Sequence, residues 1–231
     1  MKLLNKIRNM GRKTKIAASI AVLAAVVSLP LAVNAGFFPG DRPTFDYTKG
    51  DANSDCSNPN DPAAQNGRCG SMTGPVFNSF TNNPAYGDER AFFDGRRADQ
   101  PGVAYDVVTD VTDGPKEVVL RTYIHNNAND STNVSGLGIA RNTRVAIELP
   151  TVTGDALRAV SAISADNATP REVTDSVDLT ANRRFSVDFV EGSARYYNQG
   201  PFAGGVALSD AIVQPGGVQI GYDQLDGNLQ G

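Results

Sequence analysis

The chain has 231 residues, 40% apolar and 20% charged, enough to bury the core of one large β domain or two small ones. All 25 acidic residues but only 15 of the 21 basic ones follow Ala35. That part alone carries −10, against −4 for the whole chain, which argues against a nucleic-acid partner, since such a partner wants a basic face.

The N-terminus opens with Lys2, Lys6, Arg8, Arg12, Lys13 and Lys15 and no acid, followed by the apolar run IAASIAVLAAVVSLPLAV. Pro30 breaks the run, and Val33 and Ala35 stand as the small residues of a cleavage site. This pattern predicts a secretory signal peptide over residues 1–35, cut after Ala35. The alternative is an uncleaved anchor, because the run lies at the short end of what spans a bilayer. No other membrane attachment is expected, and the predicted location is secreted or cell-surface.

Residues 36–74 are dominated by Gly, Pro, Asn, Asp and Ser and predict an extended, loop-rich arm. Export would place Cys56 and Cys69 in an oxidising compartment, where a disulfide between them is expected. Closing a loop of this size contributes on the order of 3 kcal/mol. A zinc site is disfavoured, since zinc wants closer cysteine spacing and more ligands, and the one histidine, His125, is distant. Asp51, Asn53 and Asp55 begin like a calcium loop, with oxygen ligands at alternate positions. Cys56 then stands where an EF-hand needs glycine, and Pro62 where it needs a bidentate Glu. Two readings remain: an irregular calcium site with Asp61 as a further ligand, and a disulfide-closed loop without metal. Asp223, Asp226 and Asn228 form a second oxygen cluster, with a turn as its alternative. No cofactor other than calcium is expected.

From Pro75 onward the signals are β. Strands are expected in PVFNSF, VAYDVVTDV, EVVLRTYIHNN, TRVAIELP, ALRAVSAIS, SVDLT, RFSVDFVEG and GVALSDAIV, separated by turn-forming stretches. In VVLRTYIHN one face carries Val118, Leu120, Thr122 and Ile124, and the other Val119, Arg121, Tyr123 and His125. In TRVAIELP, Val145, Ile147 and Leu149 alternate with Arg144, Ala146 and Glu148. SVDLTANRRFSVDF reads as a hairpin reversing near Ala181 and Asn182. Residues 75–231 are therefore expected to form an antiparallel β-sandwich.

The succession PVFNSFTNNPAYGDERAFF, VVLRTYIHNNAN, ARNTRVAIELP and QIGYDQLDG resembles a group of uncharacterised exported proteins of Actinobacteria and Saccharibacteria. Its middle portion, with Asn126, Asn127, Ala140, Asn142, Val145, Leu149 and Pro150, is similar to an immunoglobulin-like repeat of unknown function in bacterial surface proteins. The resemblance spans roughly Pro75 to Gly227. It implies an immunoglobulin-like sandwich and no particular reaction. It also implies a continuation past GYD-LDG into a further strand, which would leave the domain truncated at its C-terminus.

Residue by residue, chemistry is sparse. Any nucleophile–histidine arrangement must use His125, and no G-x-S-x-G elbow accompanies it; a hydrogen-bonding structural histidine at an Asn-rich turn is the favoured reading. Glu89 and Arg90 read either as a tie to the sandwich or as a solvated charged turn. Tyr196 and Tyr197, near Phe202, are the best aromatic platform for a carbohydrate, although the chain lacks tryptophan. The function expected is an exported structural or interaction module of the adhesion type, without catalysis, whose partners are other cell-surface proteins or envelope glycans. The alternative is a secreted hydrolase or carbohydrate-binding accessory domain.

Overall fold

A computed structural model describes residues 14–20, 42–46, 70–71, 73–100, 102, 107–110, 114–129, 132–133 and 135–221. These residues form a mostly β protein with almost no helix. The strands are β1 (Thr14–Ile20), β2 (Phe93–Arg97), β3 (Val107–Asp110), β4 (Lys116–Thr122), β5 (Arg144–Glu148), β6 (Gly154–Ser164), β7 (Glu172–Phe189), β8 (Arg195–Tyr196), β9 (Val206–Ala207) and β10 (Val218–Gln219). The main sheet has the order β10-β5-β6-β7-β1-β4-β2, with β3 also on β7; β8 and β9 make a small antiparallel pair. Pairing is antiparallel for β10–β5, β5–β6, β6–β7 and β2–β4, and parallel where β1 meets β4 and β7 and where β3 meets β7.

Period-two alternation translates directly into burial. In β4, Val118 and Leu120 are buried while Glu117 and Arg121 face water. In β6 the buried set is Leu157, Ala159, Ser161 and Ile163, and in β5 Val145 and Ile147, joined by the small Ala146.

The expected hairpin at Ala181 and Asn182 is instead one 18-residue strand, β7. The reason lies in the phase of its apolar residues. Val173, Val177, Leu179, Phe185 and Val187 are all buried and all fall on one parity. A two-residue turn at Ala181-Asn182 would set Leu179 opposite Arg184 and Val177 opposite Ser186, sending Phe185 and Val187 to the other face. Such a turn also wants positive φ, which neither residue adopts. The strand instead changes partners along its length: residues 178–181 pair with β3, and residues 185–189 with β1.

Two further strand expectations are only partly met. PVFNSF makes isolated bridges, Phe77 with Asn126 and Phe80 with Phe45, because Asn78 sits at φ 50° and breaks the extended run. GVALSDAIV gives only the two residues of β9, then a 3-10 turn over Asp210–Val213. Ser209 caps that turn by accepting from Ala211 N, and Ile212 is buried against β5.

The β2–β4 pair lies over the β6–β7 face. Phe93 N donates to Asp175 Oδ2 at 2.8 Å, and the Thr122 and Ser161 hydroxyls meet at 2.9 Å. Gly95 permits this approach: a Cβ there would stand 2.7 Å from Leu120 Cδ2, 3.0 Å from Val108 Cγ2 and 3.4 Å from Val177 Cγ1. Gly95→Val is accordingly expected to cost about 1–3 kcal/mol by overpacking, read as a lower midpoint of urea unfolding with an unchanged slope.

Candidate polar site at Glu89 and His125

Between Gly74 and Phe92 the chain makes no strand, yet it is tightly held. Asn83 organises a compact loop: its N donates to Gly87 O at 2.8 Å, Gly87 N donates back to Asn83 O at 2.6 Å, and its side-chain oxygen accepts from Ala85 N at 2.8 Å. Glu89 N then donates to Phe80 O at 2.9 Å, which points the next turn inward, and Phe92 and Phe93 continue into the core with no exposed surface.

Glu89 is the result of that local geometry. Its side chain is fully buried, and three side chains converge on its carboxylate. His125 Nδ1 lies 2.7 Å from Oε1, Asn83 Nδ2 donates to the same oxygen, and Asn127 Nδ2 donates to Oε2 at 2.9 Å. Burial pushes the carboxyl pKa up, but these hydrogen bonds and the His125 charge outweigh it, and the net position is below the ordinary 4.5.

The asparagines extend the cluster into the backbone. Asn78 Nδ2 donates to Tyr123 O at 2.8 Å, Asn78 Oδ1 accepts from His125 N at 2.9 Å, and Asn127 Oδ1 accepts from Ser79 N at 2.6 Å. Arg42 reaches in from the N-terminal side: it is buried, donates from Nη1 to Asn78 O at 3.0 Å, and stacks over the Phe92 ring. Burial lowers its pKa, only partly offset by Asp175. Gly70, at φ +77°, passes so close to the Asn127 carbonyl that no side chain fits, and Ser71 N donates to that carbonyl at 2.7 Å.

The outer side of the cluster is aromatic. His125 is 37% exposed, in contrast to Glu89 at 0%, so its Nδ1 edge is held while the rest of the ring reaches the surface. The Tyr123 and Phe80 rings flank it with centroids at 6.1 and 6.0 Å. Tyr86 stacks on Tyr123 at 4.0 Å, and the Arg121 guanidinium, paired with Asp94, lies 5.8 Å from the Tyr86 ring. Burial and the nearby Asp94 push the Tyr86 phenol well above its usual range.

The hydrogen-bonding histidine read from the sequence is thus found, and its partner is new. Of the two readings of Glu89 and Arg90, Glu89 follows the tie, buried against His125 and not solvated, whereas Arg90 binds its neighbour Asp88. Periodicity gives no warning here because the segment is irregular; the one available signal is an acid three residues before the core aromatics Phe92 and Phe93.

Tyr196 lies in β8, half-buried, with its ring 5.9 Å from Phe202 in an edge-on contact, while Tyr197 is 61% exposed. Cys56, Cys69, Asp51, Asn53, Asp55 and Asp61, and the second cluster of Asp223, Asp226 and Asn228, lie outside the described residues. Among the described residues, no group of three or more His, Cys, Asp or Glu side chains is placed to hold a metal ion. No protein-family model matches this chain, and no curated protein or solved structure matches it either.

Proposed function

We infer that the chain is an exported, immunoglobulin-like β-sandwich that serves as a structural or interaction module at the cell envelope or outside the cell. The observation that carries this reading is the occupancy of the Glu89 carboxylate. Both oxygens are taken by side-chain donors from the loop at Asn83 and the strand end at His125 and Asn127. A carboxylate used this way ties irregular segments to a sheet, as an interaction scaffold requires. The basic and apolar leader and the acidic remainder support export.

The second reading, a secreted hydrolase or glycan-binding accessory domain, is favoured by one specific feature. A buried carboxylate holds His125 Nδ1 while the ring stays partly open to solvent, and this is how a histidine is oriented for proton transfer.

One experiment separates them. The purified chain and its His125→Gln variant are assayed against chromogenic esters and glycosides and, in parallel, for saturable binding to washed cell envelopes. The module reading expects envelope binding by the wild type and no turnover that depends on His125. Turnover lost in a folded His125→Gln protein would establish the hydrolase instead.

A further inference from the structure

Strands β8 and β9 are the arms of a short hairpin whose register sets Arg195 opposite Ala207 and Tyr196 opposite Val206. Leu208 N donates to Ala194 O at 3.0 Å, which carries the pairing one step further. Alternation then sorts the side chains. Ala194 and Leu208 are buried on the inner face, and Tyr196 packs against the core from the same side. Arg195, Tyr197, Gly205 and Ala207 fall on the outer face, where Arg195, Tyr197 and Ala207 are exposed.

Two adjacent tyrosines that look alike in sequence therefore have different roles. Tyr196 anchors the hairpin, whereas Tyr197 forms a shelf on it. The Tyr197 ring lies against the backbone of Gly205, where a Cβ would stand 2.3 Å from Cε1 and 2.7 Å from Cζ. Only glycine leaves room for the ring to lie down on the hairpin, and the side chain stays 61% exposed. The loop beneath is fixed as well. Asn198 Oδ1 accepts from Gly200 N at 3.0 Å and from Phe202 N at 2.9 Å, and Gly205 N donates to Phe202 O at 2.9 Å. A ligand meets a ring already in place, without the ordering cost that a mobile support would add.

Beside the shelf stands an uncommitted charge. Arg195 lies two residues from Tyr197 on the same face, about 7 Å along the strand, and makes no hydrogen bond or ion pair among the described residues. Arg90, Arg97, Arg121 and Arg158, by contrast, are each paired with an aspartate. Asp210, on the turn after β9, holds Gly192 N with both oxygens instead of turning to Arg195. An open guanidinium in a chain with more acids than bases calls for an anion from outside. The shelf is also a single ring: Tyr197 is the one exposed large aromatic among the described residues. Proline-rich peptides dock in grooves lined by several aromatics, whereas one flat ring matches the C–H face of one sugar unit.

We propose that Tyr197 and Arg195 form a subsite for an acidic sugar. The C–H face of a pyranose packs on the Tyr197 ring, and the carboxylate of that sugar pairs with the Arg195 guanidinium. This deepens the interaction-module reading, on which it rests for its setting, by naming the chemistry of the partner as an anionic envelope glycan.

The test is a titration of the full chain, followed by amide chemical shifts, with a glucuronate-containing tetrasaccharide and with the same glycan after reduction of its carboxylates. Saturable shifts centred on residues 195–207 are expected, with the acidic glycan bound about fivefold more tightly than its reduced form. Tyr197→Ala should weaken binding about tenfold, while Tyr197→Phe keeps the ring and the affinity. Arg195→Gln should bring the acidic glycan down to the level of the reduced one. Both residues are exposed, and an unchanged unfolding midpoint checks that the variants fold. No shifts at the hairpin, equal binding of the two glycans, or full binding by Tyr197→Ala would overturn the subsite. An acidic proline-rich peptide that saturates the same residues more tightly than the glycan would overturn the sugar as its ligand. The soluble glycan is bound without any envelope present, so the two readings fail separately. Envelope binding that survives Tyr197→Ala would strike the subsite and leave the module standing; glycan binding by a chain that ignores envelopes would do the reverse.

Discussion

Glu89→Ala is expected to be the most damaging single substitution outside the apolar core, lowering the free energy of unfolding by about 3–5 kcal/mol. The side chain itself is small; the cost lies in what it leaves behind. Asn83 and Asn127 would each keep a buried amide without its acceptor, and His125 would lose the group that orients it. Asn127 also receives Ser79 N, so the effect should spread into the 76–80 segment as faster amide exchange there. Glu89→Gln keeps the shape and one acceptor but turns an amide toward a donor, and should recover only part of the loss. Urea unfolding of the three proteins checks the ranking.

The same carboxylate gives the fold an acid limit with a defined sign. Its pKa in the folded protein lies below the ordinary 4.5, so its contribution is fully present above pH 4.5 and is lost as the pH falls through the lower folded value. Wild type should therefore lose stability below pH 4.5 more steeply than Glu89→Ala, which lacks this term. Parallel slopes in that window would show that the carboxylate is not held as described.

Phe185→Ala is expected to cost about 3–5 kcal/mol, the range for emptying a buried aromatic site. Phe185 has no exposed surface, and it sits where β7 leaves its β6 partner and enters its pairing with β1, opposite Gly154 and Thr14. A void there would remove packing at the hinge between the two halves of the strand. The chemical-denaturation midpoint should fall with little change in slope. A loss below about 1 kcal/mol would mean that neighbouring side chains collapse into the space, contrary to the close packing seen at Gly95.

Acidity beyond Ala35, β character and the buried faces of β4 and β5 could be read from residue order alone. They depend on composition and on local period-two patterning, which one strand carries by itself. The continuity of β7 was written there too, in the shared parity of Val173, Val177, Leu179, Phe185 and Val187. The ANRR stretch mimics turn chemistry, a local signal that competes with the phase of the apolar residues. Other features had no local trace. Glu89 meets Asn83, His125 and Asn127 across separations of 6, 36 and 38 residues, and a carboxylate looks alike in sequence whether it is solvated or buried. The parallel placement of Thr14–Ile20 between β4 and β7 is likewise a property of which edges remain unpaired. Only the tertiary structure decided these points, because long-range hydrogen-bond satisfaction and open sheet edges arise from the packing of distant segments.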